Sequence, residues 1–239
     1  MVCAVLFDLD DTLFDHAGCA RHALAAVQGC DPRLAAMTFD ALERTHAEFL
    51  EQLHTDVMLG RVPLEAARRE RFRRLLNASG ADATDALASR LAAMYRDTYR
   101  ESRRAVPGAG ALLAAVKERA RVGIVSNNLL DEQQEKLRTC ALDPFVDALV
   151  VSEEIGVSKP DPEIFKVALD RLSCAPENAV MVGDSWAADI AGAQAAGIRA
   201  VWFNPRRLAV PDDRVAVAQL ESFEPVSEAM RIIFDAHRD

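Results

Sequence analysis

Three carboxylates fall within four positions at the end of an apolar run. Val5 to Leu13 read VLFDLDDTL, and Asp8, Asp10 and Asp11 follow directly on a strand-like segment. Side chains alternate along an extended chain, so Asp8 and Asp10 project to the same side. Two carboxylates held that close repel unless a cation lies between them or one keeps its proton. The arrangement suits a hard divalent cation and a carboxylate nucleophile. A solvated acidic strand end is the plain alternative.

Other apolar runs also end in polar residues. Strand-like segments cover 2–8, 121–126, 148–152, 179–184 and 198–204, with helical patterns at 131–141, 162–172 and 186–196 between them. This alternation predicts an α/β, Rossmann-like fold: a parallel sheet with helices on both faces. Near-continuous hydrophobicity in the strands agrees with burial on both sides. Asp8 ends the first strand, Ser126 the second and Asp184 the fourth, while Lys159 follows the third in a loop. Ligands of an open parallel sheet bind outside the carboxyl ends of its strands. These distant residues are therefore predicted to meet at one edge.

Their charges point to a ligand. Asp8, Asp10, Asp11, Asp184 and Asp189 face Lys159 as the one predicted cation, a surplus of four negative charges. A partly desolvated pocket does not tolerate that surplus without a metal. All-oxygen ligands, with no cluster of His or Cys, favour Mg²⁺ over Zn²⁺. Magnesium binds through few carboxylates plus substrate phosphate, so a phosphate monoester is the predicted substrate class.

Residues 15–104 are of a different kind: rich in Ala, Leu, Arg and Glu, helical in period and nearly free of strand signal. Breaks at Gly29–Pro32, Gly60–Pro63 and Asn77–Asp82 divide the block into about four helices. Pro63 suits a first helical turn, and Glu65 with Arg69 forms a favourable i,i+4 pair. Inserted after the first strand, the block reads as a helical lid (cap) on an α/β core formed by 1–14 and 105–239, and a lid would exclude water and read the leaving group. Residues 61–104 hold 11 Arg against 6 Asp or Glu. Arg61 is thus a candidate to attract an anionic substrate, with a solvated helix surface as the simpler reading. Tyr95, Tyr99 and His54 are candidates for substrate contact or for packing. Asn128 and Leu129 are candidates for specificity, and Trp186 for packing.

Bulk properties narrow the function classes. A formal charge of −9 and a pI near 5.1 argue against a nucleic-acid partner. No apolar run approaches the roughly 20 residues of a membrane span. The start MVCAVLFDLD lacks a basic leader and resembles a core strand, so a cytoplasmic protein is expected. Cys3, Cys19, Cys30, Cys140 and Cys174 are odd in number and scattered, which predicts reduced thiols. Monomer and homodimer both stay open.

FDLDDTL, VSNN, VSKPDPEIF and VGDSWAADI resemble, in order, the four motifs of the haloacid dehalogenase (HAD) superfamily. The insertion resembles its first class of helical cap. The resemblance implies that Asp8 is the nucleophile, becoming an aspartyl phosphate, and Asp10 the general acid/base. It implies Mg²⁺ on Asp8, Asp184 and the Asp10 backbone carbonyl, and phosphoryl oxygens held by Ser126 and the Asn127 amide. Lys159 would offset charge on the phosphoryl group and Asp8. Asp189 would orient Lys159 or a metal-bound water, and Thr12 and Asp11 would support the loop. Members that cleave carbon–halogen bonds lack the acid/base Asp, whereas Asp10 is present here. Phosphonate hydrolases need a cap lysine, and 15–104 contain none. The cap-class relatives it resembles include nucleoside 5′-monophosphatases and an acylneuraminate-9-phosphate phosphatase. The expected function is a Mg²⁺-dependent phosphatase of small metabolites; a phosphosugar mutase and a non-catalytic phosphate-binding regulator are the alternatives.

Overall fold

The computed structural model describes residues 2–80, 83–211 and 217–235. The chain divides into two compact units, Met1–Asp15 with Arg104–Asp239, and His16–Arg103.

The first unit is built on six parallel strands: β1 (Ala4–Phe7), β2 (Arg121–Ser126), β3 (Ala148–Val151), β4 (Ala179–Gly183), β5 (Arg199–Phe203) and β6 (Ala218–Leu220). Their spatial order is β3-β2-β1-β4-β5-β6. The order reverses at β1, which pairs on one side with β2 and on the other with β4. That switch point is where a doubly wound sheet leaves a crevice for ligands. Every residue of β1 and β4 is buried, as two covered faces require. Leu6, Val125, Ile164, Phe165, Leu172 and Met181 form much of the core on one face.

In the second unit, helices α1 (His16–Gln28), α3 (Phe39–Met58), α4 (Leu64–Ala78) and α5 (Asp85–Glu101) follow the expected breaks, with a short α2 (Pro32–Ala35) between the first two. Thr38 and Thr84 cap α3 and α5 by accepting hydrogen bonds from the backbone at Ala41 and Leu87. Leu24, Leu42, Phe72, Leu75 and Leu91 fill the interior. His46 and Arg71 are buried with them. The last break ends at Ala81 and Asp82, which lie outside the described residues.

The described helices of the first unit are α6 (Ala109–Lys117), α7 (Leu130–Thr139), α8 (Ser152–Ile155), α9 (Pro162–Arg171), α10 (Gly192–Ala195) and α11 (Val226–Asp235).

Five local expectations are corrected. Ser152 opens α8 instead of closing β3. The 186–196 helix begins as a π-helical stretch, Trp186–Ala191, before α10. Pro63 stands just ahead of α4, and Glu65 pairs with Arg68 and Arg96 instead of Arg69. A long arginine can choose among several neighbours, which the i,i+4 rule ignores. Finally, Cys3 and Cys174 form a disulfide across a separation of 171 residues, while Cys19, Cys30 and Cys140 are not disulfide-bonded. The β1–β4 pairing of Ala4 with Ala179 draws these two segments together, which no local cysteine spacing reveals.

Candidate active site

Strand endings create the site. Asp8 follows β1 and its amide donates to the Val182 carbonyl at 2.9 Å, tying it to the end of β4. Asp184 follows β4, and its amide donates to Thr12 Oγ1 at 3.1 Å. Asp11 holds a left-handed φ of 61° in the tight turn after Asp10, a conformation Asp tolerates better than most residues.

Lys159 is the hub. Its Nζ donates to Asp8 Oδ1 at 2.6 Å and to the Val125 carbonyl at 2.7 Å, and it pairs with Asp189 Oδ1 at 2.7 Å. Lys159, Asp8 and Asp189 are all buried. Asn127 fixes the loop, donating from Nδ2 to the Lys159 carbonyl and accepting from its amide at 2.7 Å. Burial opposes the charge on Lys159, yet Asp189 and Asp8 outweigh it and hold its pKa above the ordinary value. Burial, reinforced by Asp189 and Asp184, pushes Asp8 well up despite Lys159. Asp184 is pushed up to about 7 by burial, then by Asp189 and Asp11. Carboxylates raised together in this way form a site short of positive charge.

Oxygen atoms of Asp8, Asp184 and Asp189 lie within 4.8 Å of one another, a set able to hold a metal ion. The oxygen-only donors and raised carboxylates fit a hard divalent cation.

The sequence reading missed two residues. Lys136 Nζ donates to Asp10 Oδ1 at 2.6 Å and Oδ2 at 2.8 Å. Gln133 Nε2 donates to Asp10 Oδ2 at 3.0 Å and to Ser126 Oγ at 2.6 Å, and Asn128 Nδ2 donates to Asp10 Oδ2 at 3.1 Å. Lys159 is thus not the one local cation: Lys136 pairs with Asp10, and the charge of Arg206 acts on Asp184. The available signal was weak: Gln133 and Lys136 share one face of α7, but in a strongly polar helix that face looks solvated.

Other candidates have structural partners. Trp186 packs edge-to-face on Trp202, with centroids 5.1 Å apart. Tyr95 is buried, and the Tyr99 hydroxyl bonds His16 Nδ1 at 2.8 Å. Arg61 is exposed and pairs with Asp56 at 3.4 Å. Leu129 precedes α7 without a side-chain role in capping.

The chain matches the haloacid dehalogenase-like hydrolase family over residues 2–197. It belongs to that family. Within the family it is 33% identical to a ribulose-1,5-bisphosphate 5-phosphatase of Halopiger xanaduensis, over 86% of each chain. It is 34% identical to a glyceraldehyde 3-phosphate phosphatase of Methanopyrus kandleri, covering 83% of this chain and 82% of the relative. A solved structure of the HAD-hydrolase YfnB of Bacillus subtilis, bound to magnesium, superposes with a TM-score of 0.74 at 25% identity, covering 96% and 98% of the two chains. The six-stranded parallel sheet with its helices is an α/β HAD-like fold. Among the described residues, no helix is long and apolar enough to cross a membrane.

Proposed function

We propose that this family member is a Mg²⁺-dependent phosphatase of small phosphorylated metabolites, sugar phosphates first, working through an aspartyl phosphate on Asp8. The observation carrying this reading is the Lys159 ammonium 2.6 Å from Asp8, with Asp10 two residues further on. The named phosphatase relatives support the substrate class.

Asp8 Oδ attacks phosphorus, and the bond from phosphorus to the ester oxygen breaks. Asp10 gives its proton to the departing oxygen, which leaves as the alcohol. Water then attacks the aspartyl phosphate while Asp10 takes up its proton, releasing inorganic phosphate and regenerating the Asp8 carboxylate. Ser126 and the Asn127 amide hold phosphoryl oxygens. Lys159 neutralises the phosphoryl charge as it develops, and Asp189 keeps that ammonium aimed at Asp8. Asp8, Asp184 and the Asp10 carbonyl would hold Mg²⁺, which supplies further charge neutralisation when bound. Thr12 steadies Asp184.

The test is phosphate release from a panel of sugar phosphates and nucleoside monophosphates with Mg²⁺, using wild type and Asp8→Asn. Activity persisting in the purified variant refutes the nucleophile. An isomeric phosphosugar formed without free phosphate would identify a mutase instead.

A further inference from the structure

Asp10 is held more tightly than a proton-transfer group on a turn needs to be for folding. Among the described residues its carboxylate accepts from at least three side chains: Lys136 through both oxygens, and Gln133 and Asn128 through Oδ2. Each donor is itself locked. Asn128 Oδ1 accepts the Leu129 amide at 2.9 Å, which turns its NH₂ toward Asp10. Gln133 is fully buried, and the ionised form of Asp10 can only accept, so in that state the Gln133 NH₂ faces it. The same NH₂ donates to Ser126 Oγ, which leaves the serine hydrogen free for another acceptor. Lys136 is 3% exposed, and its ammonium lies 5.2 Å from the centroid of the buried Phe14 ring.

Burying a lysine is expensive unless it is paired and bonded. Among the described residues the ion pair of Lys136 is with Asp10, and Gln133 and Lys136 reach that carboxylate from one turn of one helix. The i,i+3 spacing sets both donors on a rigid element, the arrangement that holds a reacting group to within a fraction of an ångström.

We infer that Lys136 is a positioning residue: with Gln133, it fixes the Asp10 carboxyl where protons pass to and from the reacting oxygens, and ties that placement to the phosphate-binding Ser126. The inference rests on the acid/base role of Asp10 proposed above. A misplacement of about 1 Å can lower a rate by about 100-fold, and the loss falls on the steps that need the misplaced group.

Leaving-group chemistry separates this role from a merely structural one. An alkoxide leaves only with a proton, whereas p-nitrophenolate leaves without one. The parameter kcat/KM covers the steps through loss of the leaving group, so it isolates the first half-reaction. In Lys136→Met, the kcat/KM for glycerol 3-phosphate divided by that for p-nitrophenyl phosphate should fall by about 10- to 100-fold. In Lys136→Arg, which keeps charge and donors, most of that ratio should return. Equal losses on both substrates, or no loss on either, overturn the inference. Lower thermal stability in Lys136→Met with an unchanged ratio also overturns it, leaving Lys136 a purely structural residue. Wild-type protein that releases phosphate from neither compound, nor from the metabolite panel, would instead defeat the phosphatase reading itself and this inference with it.

Discussion

Gly183 lies against Asp189 so closely that a β-carbon at position 183 would stand 2.3 Å from Asp189 Oδ2 and 2.6 Å from its Cβ. No rotamer change relieves a clash with Cβ, so the last residue of β4 has to be glycine for Asp189 to reach Lys159. Gly183→Ala should therefore push Asp189 off the Lys159 ammonium. A kcat reduced by about 10- to 100-fold is expected, with a stability loss of about 1–3 kcal/mol from overpacking. Steady-state kinetics and denaturant melts measure the two effects separately.

Metal binding and pH should be linked through Asp184. Its carboxyl is pushed up to about 7, so between the ordinary carboxylate range and about 7 the folded protein holds a proton that the unfolded chain has released. Metal-free stability should fall as pH rises across that window. Mg²⁺ competes with this proton, so its stabilisation should be larger at pH 8 than at pH 5.5. Saturation at 100 times Kd corresponds to about 2.7 kcal/mol. Melting curves with Mg²⁺ or EDTA at the two pH values test this, and an equal Mg²⁺ shift at both would contradict it.

Acid should weaken the helical unit through His46. Burial first, then the charges of Arg71 and His16, hold its pKa well below the ordinary value. Its ring packs between Phe72 and Tyr95, with centroids 5.7 Å and 4.9 Å away. Below about pH 6.5 the unfolded chain takes up a proton that the folded ring refuses, so stability declines as pH falls through and beneath that value. The melting temperature of His46→Phe should depend less on pH between 7 and 5 than that of wild type.

The Cys3–Cys174 bond should stabilise without touching the chemistry. Cys3 precedes β1, at the opposite strand end from Asp8. Reduction, or Cys3→Ser, should lower the melting temperature by about 5–15 °C through the entropy restored to the unfolded chain. Its kcat at 25 °C should match wild type. A reduced protein with an unchanged melting temperature would show that the bond does not stabilise the fold.

The sequence alone determined the parts of the site that follow from strand geometry. Asp8, Ser126 and Asp184 were legible because a buried parallel strand has an unmistakable apolar text, and its carboxyl end is where polar groups gather. Asp10 followed from the two-residue period, and the helical block from its composition. Tertiary structure decided what depends on a helix face or on distant segments meeting. Lys136 and Gln133 lie in a strongly polar helix, and only the packing of α7 turned them toward Asp10 and Ser126. The need for glycine at 183 exists only because Asp189 folds back over it. Cys3 finds Cys174, and Glu65 finds Arg96, through contacts that local spacing does not encode. Strand periodicity is written into neighbouring residues, but the partner of a buried charge is set by whichever surface the fold lays against it.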